Sequence, residues 1–245
     1  MSQQISEKDG AGPRILAIET SSRRGSIAMG LGDELLAFES FERNLRHAAE
    51  LLPAMERATR RLGWTPQDLD QVYVSAGPGS FTGLRIGITV AKTLAQASGL
   101  QIVAVPSIAV IAGNAPDGAV NVGVVLDAKR KQVFAGRFQR RDGKLATSLP
   151  ACLTDPRQFV TESPKPLLLL GEGIKYHGPA LQACDVQIAD ESLFWPSARV
   201  VYRLGRELAG RGKFSNPATL TPIYLRMPEA VELWNARHGA KTGGN

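Results

Sequence analysis

The chain has 245 residues and a formal net charge of +6, with 43% hydrophobic and 21% charged residues. This length suits one large domain or two small ones with real cores. No apolar run approaches the roughly 18 to 20 residues that span a bilayer, so no membrane association is expected. The basic balance fits contact with nucleic acid or an acidic partner, and equally a generically basic soluble protein.

Residues 1–13, "MSQQISEKDGAGP", lack the apolar core of a secretory signal and read as a disordered tail. "RILAIET" (14–20) alternates like a strand. "GSIAMGL" (25–31) and "ELLAFESF" (34–41) follow after tight turns, which completes a three-stranded meander. "RHAAELLPAMERATRRLG" (46–63) has helical period through Leu51, Leu52, Met55, Ala58 and Leu62. Gly63 stops it, and Pro53 is expected to weaken or kink it. "DQVYVSA" (70–76) reads as a strand, 84–99 as a helix ended by Gly99, and "QIVAVP" (101–106) as another strand.

The second half repeats this grammar. Segment 120–147 reads as strand, acid and turn, strand, turn, strand. Asp127 stands where Glu19 stands in the first half. "LLLLGEG" (167–173) is a buried strand and a glycine turn, and 196–212 is a final helix with Pro196 near its start. The expected division is a lobe at 14–113, a lobe at 114–226 and a tail at 227–245, with the final helix able to pack back on the first lobe. Two lobes of mixed sheet plus helices make an α/β class. A repeated strand–acid–turn–strand opening is the pattern of the actin-like ATPase (ASKHA) fold.

Between the strand at 70–76 and the next helix lies "SAGPGSFTGLR" (75–85), a loop of a kind that often cradles phosphate. A Walker A loop needs Gly-Lys-Ser/Thr at its end, but Leu84 follows Gly83. A dinucleotide fingerprint needs G-x-G-x-x-G, but Gly77, Gly79 and Gly83 are one residue too far apart, and no acid follows about 20 residues on. A nucleophile elbow needs glycines two residues either side of the serine, where Ser80 has Pro78 and Thr82. What remains is a tight turn with Ser80 or Thr82 as helix cap, or a helix start that holds an anion.

Gly83, Gly87, Ala91 and Ala95 recur every fourth residue along the following helix. Such a stripe admits close approach of a partner helix, or of this protein's own first helix. The opposite flank, Ile86, Val90 and Leu94, would then face the sheet. Of the three histidines, His47 has Leu51 at i+4, His177 lies in a glycine-rich turn without a nearby acid pair, and His238 lies in the tail. No catalytic triad or metal set assembles. Glu19 and Asp127 either flank a cleft as magnesium or water ligands or cap their own turns. The basic clusters Arg23-Arg24, Lys129-Arg130-Lys131 and Arg140-Arg141 are short, and none interleaves with aromatics in sequence. Cys152 and Cys184 have no metal or redox spacing and read as free thiols in a reducing cytoplasm.

"ILAIETS", "GPGSFTGLRIGITVAKTLA", "VLDAKRKQVFAGRF" and "PIYLR" together resemble the bacterial TsaB family, over residues 14 to 226. The resemblance implies the actin-like fold and a non-catalytic role in making threonylcarbamoyladenosine beside the anticodon of tRNA. It implies a heterodimer with the catalytic paralogue TsaD and the ATPase TsaE in a larger complex; the small-residue stripe could pair two copies when the partner is absent. RNA would then be reached through the complex, and no cofactor is implied. In the paralogue a His-x-x-x-His pair binds metal; here His47 stands at the first position and Leu51 at the second. Glu19 replaces an Asp common in relatives, leaving a vestigial nucleotide role for Glu19 and Asp127. The expected partner surface is Gly83, Gly87, Ala91 and Ala95 on the second helix, with Leu51 and Met55 beside them. The rival reading is a small-molecule kinase or ATPase of the same fold. A peptidase lacks the ligands and triad it would need.

Overall fold

The computed structural model describes residues 12–41, 47–182 and 185–226. The expected tails before residue 12 and after residue 226, the side chain of His47, and the whole of Cys184 and His238 lie outside the described residues.

Two five-stranded sheets share one plan. The first contains β1 (Arg14–Glu19), β2 (Gly25–Leu31), β3 (Glu34–Phe41), β4 (Gln71–Gly77) and β5 (Gln101–Pro106) in the order β3-β2-β1-β4-β5. The second contains β6 (Asn121–Asp127), β7 (Val133–Arg141), β8 (Lys144–Thr154), β9 (Leu167–Leu170) and β10 (Gln187–Ile188) in the order β10-β9-β6-β7-β8. In both, the leading strand pairs antiparallel with its meander and parallel with the strand that returns after a helix. Helices α1 (His47–Leu62) and α2 (Phe81–Ser98) belong to the first set, and α4 (Pro156–Thr161) and α5 (Gly173–Gln182) to the second. The result is a two-lobed α/β architecture.

Side-chain alternation along β1 builds two cores at once. Leu16 and Ile18 face α1 and α2, where they join Val72, Val74, Ile88 and Ala91. Ile15 and Ala17 face α6 (Ala198–Gly210) through Val201 and Tyr202. In the second sheet Val122, Val124 and Leu126 meet Ile108 and Ile111 of α3 (Ser107–Ala112), while Val125 faces the cluster of Phe159, Leu169 and Ile174. α6 is tied to the first sheet by Tyr202, whose hydroxyl donates to the carbonyls of Gly32 at 2.9 Å and Glu34 at 3.2 Å. The Tyr73 ring meets that of Tyr202 edge-on at 6.2 Å.

Several elements escape sequence periodicity. α3 is one short, almost wholly buried helix, so no amphipathic stripe marks it. α5 forms where "GIKYHGP" reads as a glycine turn, and it carries Pro179 internally. α2 begins at Phe81, three residues before its periodic pattern, because Ser80 caps it by accepting from the Gly83 amide at 3.2 Å. It ends at Gly99, whose φ of 71° suits a residue without a Cβ.

The small stripe of α2 faces inward. Ala91 is 0% exposed, and Gly83, Gly87 and Ala95 are buried with it. A Cβ on Gly83 would lie 1.9 Å from the Thr20 carbonyl oxygen, and one on Gly87 would lie 2.5 Å from Thr20 Oγ1 and 3.4 Å from side chains of Ile18 and Val74. The stripe therefore seats α2 on this chain's own sheet and its β1–β2 turn. It faces neither a partner nor primarily α1, and the expected exposure of Gly83, Gly87, Ala91 and Ala95 is corrected. Leu51 is fully buried and Met55 nearly so, which places both on the inner side of α1. Ile86, Val90 and Leu94, expected against the sheet, are only partly buried and pack against the margin of the core.

Candidate functional site

Two surfaces stand out, a cleft between the lobes and a groove on the outer face of α1 and α2.

The glycine loop 77–83 sits beneath the cleft and is wedged against the β1–β2 turn. The Ser80 amide donates to the Ser21 carbonyl at 2.7 Å, and a Cβ on Gly79 would lie 2.3 Å from that same oxygen. Thr20 Oγ1 donates to the Gly83 carbonyl at 2.8 Å. The amides of Ser80, Gly83 and Leu84 are all spent within the chain. The loop's glycines thus serve backbone-to-backbone contact. Its other side receives the segment after α6, where the Ile223 amide donates to the Ala76 carbonyl at 2.7 Å. Tyr224 then packs on Phe81, and Arg226 donates to the Ala128 carbonyl and to Gln132, which ties "PIYLR" to both lobes.

The cleft has a volume of about 210 Å³. Ser21, Arg23, Gly79 and Ser80 line one side; Asp127, Lys129, Glu172 and Tyr176 line the other, with Trp195 nearby. Glu19 is fully buried. It accepts from the Ser21 amide and hydroxyl, each at 2.6 Å, and from the Ser75 hydroxyl. Burial pushes its carboxyl upward, only partly offset by the Ser21 and Ser75 hydrogen bonds. Asp127 accepts from the Lys129 amide at 3.0 Å and the Lys129 ammonium at 2.8 Å. Burial works to raise its pKa, but the bonds from Lys129 and His177 outweigh it and hold the carboxyl low. Burial pushes Glu172 upward.

His177 corrects the sequence reading. It lies on α5, with Nε2 3.2 Å from Asp127 Oδ1. No sequence signal joins these positions, because the contact arises from α5 packing on β6. Still, among the described residues no group of three or more His, Cys, Asp or Glu is placed to hold a metal.

The Glu19 shift has a testable sign. An acid whose folded pKa is raised contributes stability that is complete below its ordinary value of 4.5 and is lost as pH rises through the raised value. Glu19→Gln keeps one acceptor oxygen and cannot ionise. We expect this variant to gain stability over the parent as pH rises above 4.5. Urea midpoints across that range measure the gain; parallel curves for the two proteins would disprove it.

The β6–β7 turn is unusual in its backbone. Lys129, Arg130 and Lys131 have φ of 62°, 52° and 62°. Side chains in that region cost on the order of 1–2 kcal/mol per residue. Hydrogen bonds from the Gln132 amide to the Lys129 carbonyl and from the Ala128 amide to the Gln132 carbonyl, both 3.0 Å, hold the turn closed.

The second surface is an open apolar groove of about 300 Å³, lined by Leu51, Leu52, Arg85, Ile86, Thr89 and Val90. Leu52 is 57% exposed at its rim. Sequence periodicity places Leu51 and Leu52 on one helix but does not say which faces outward.

The described residues contain no helix long and apolar enough to cross a membrane. Residues 42–188 match the family model described as TsaD, tRNA N6-adenosine threonylcarbamoyltransferase. The tRNA threonylcarbamoyladenosine biosynthesis protein TsaB of Bacillus subtilis (strain 168) is 32% identical over 226 residues, covering 90% of this chain and 97% of that protein. The protein of the same name from Escherichia coli (strain K12) is 26% identical over 220 residues, covering 87% and 94%. A crystal structure of an uncharacterized Pseudomonas aeruginosa protein with similarity to peptidase YEAZ superposes with a TM-score of 0.75 at 26% identity, over 87% of this chain and 100% of that one. With the Bacillus subtilis relative 32% identical and covered almost end to end, the chain belongs to the TsaB family.

Proposed function

We propose that this chain is a non-catalytic scaffold and dimerization subunit of the tRNA threonylcarbamoyladenosine modification complex, where it binds and supports the catalytic TsaD subunit. The observation that carries this reading is the open apolar groove on α1 and α2, rimmed by the exposed Leu52. A groove of this kind on one face fits a helical partner surface. The docking face is then Leu52, Ile86, Thr89 and Val90, on the far side of α2 from the small stripe. Alone, two copies pair through the same groove; the TsaE ATPase joins the larger assembly, in the cytoplasm. The repeated sheet order in the two lobes supports an actin-like (ASKHA) ancestry. On that reading the division falls near 113–114, and Glu19 and Asp127 are remnants of a nucleotide site now used as turn caps.

The kinase rival needs accessible carboxylates and free loop amides, whereas Glu19 is buried, Asp127 is held by Lys129, and the amides of Gly77, Ser80 and Gly83 are engaged within the chain. The deciding experiment is co-purification with TsaD followed by assay of tRNA modification. We expect the chain alone to transfer nothing, and its omission to abolish or sharply reduce modification by TsaD. Full modification without it would overturn the reading, as would micromolar ATP binding by the isolated chain that Asp127→Ala removes.

A further inference from the structure

The basic turns that are short and isolated in sequence meet at the mouth of the cleft, and there aromatic rings do lie between them. Tyr176 joins them: its hydroxyl accepts from Arg23 Nη2 at 3.2 Å, and Lys129 Nζ lies 5.5 Å from its ring centre. Arg24 lies 4.9 Å from the ring centre of Trp195, and Lys175 lies 5.4 Å from it. Arg130 and Lys131 continue the left-handed turn outward and are exposed. Tyr176 is 48% exposed, so its ring has accessible surface.

The charges are sorted by depth. Asp127 and Glu172 are half-buried in the cleft wall, while Arg23 and Lys129, which line the same cleft, are exposed, as are Arg24, Arg130 and Lys131 beside them in the chain. Phosphates drawn inside would meet the carboxylates of Asp127 and Glu172 and the already bonded amides of Ser80 and Gly83. A polyanion lying across the mouth meets the cations and an exposed aromatic face. That combination of a cationic track and a stacking surface is what single-stranded nucleic acid uses, and a duplex would withhold its base faces.

We propose that this rim is a direct contact for a single-stranded stretch of RNA, with phosphates on the Arg23-Arg24 and Lys129-Arg130-Lys131 turns and a base stacked on Tyr176. The choice of RNA over DNA rests on the tRNA-modification reading, but the contact needs no partner subunit, so its failure and that of the scaffold reading are distinguishable.

The test is fluorescence anisotropy of a labelled single-stranded RNA oligomer with the full chain, from about 50 to about 200 mM salt, the range over which phosphate binding weakens most steeply. Arg130→Glu with Lys131→Glu should weaken binding at least tenfold and flatten the salt dependence by about 0.7 for each phosphate no longer neutralised. Tyr176→Ala should weaken it about tenfold with the salt slope unchanged, because stacking is not ionic. The charge-matched pair Arg141→Glu with Lys144→Glu, flanking the β7–β8 turn, should change affinity less than twofold. Circular dichroism confirms the fold of each variant. Equal weakening by the two charge pairs would reduce the effect to net charge and overturn the proposal. An intact affinity in Tyr176→Ala, or poly-glutamate binding as tightly as RNA, would overturn it in favour of an acidic protein partner.

Discussion

Val90→Arg should weaken association with the catalytic partner roughly a hundredfold and leave the isolated chain folded. Val90 and Ile86 are half-buried on the outer face of α2 and line the apolar groove with Leu52. In the free chain an arginine there reaches water along its own stem, so folding is little affected. In the complex the guanidinium is shut into an apolar contact without a partner, a loss on the order of 3 kcal/mol. At about 1.4 kcal/mol per decade, that weakens the complex roughly a hundredfold. Ile86→Arg should behave alike, and self-association of the isolated chain should fall with both. Size-exclusion chromatography with TsaD measures the complex, and circular dichroism checks the fold. A folded Val90→Arg that still co-elutes with TsaD would show that the groove is not the docking face.

Substitutions on the opposite face of the same helix act on folding instead. Gly83→Val places a Cβ where the Thr20 carbonyl oxygen stands 1.9 Å away, and that oxygen belongs to backbone held by β1. Ala91→Trp forces an indole into a fully buried position beneath α2. Overpacking of this kind costs about 1–3 kcal/mol and more where the neighbour cannot yield. Both variants should therefore lose at least about 3 kcal/mol, a large fraction of a typical domain's stability. Denaturant midpoints measure the loss, and partner binding should fail only because folding does. A well-folded Ala91→Trp that is deficient only in binding would return the stripe to the partner interface.

The contrast between the two faces of α2 shows how far the sequence can be read. Its four-residue repeat of small side chains is plain, and so is the flank of Ile86, Val90 and Leu94. Which side meets the sheet is not. Small residues mark any close approach, and here the approaching group is the β1–β2 turn, brought there by parallel pairing of β1 with β4. Leu51 and Leu52 pose the same ambiguity one residue apart: one is fully buried, the other 57% exposed.

Local pattern determined the strands β1 to β7, helices α1, α2 and α6 nearly to their ends, the internal repeat, and the absence of a Walker loop, nucleophile elbow or histidine pair. These are statements about neighbours along the chain, where period, caps and spacing are sufficient. Tertiary structure alone decided the burial of Glu19, the Asp127–His177 contact, the seating of the glycine loop on Ser21, and the gathering of two basic turns around Tyr176 and Trp195. Each joins residues from different strands and helices, and their separation in space is set by sheet order and helix packing rather than by any local preference. A buried carboxylate and an exposed one look the same in sequence, because burial depends on what the rest of the chain places above it.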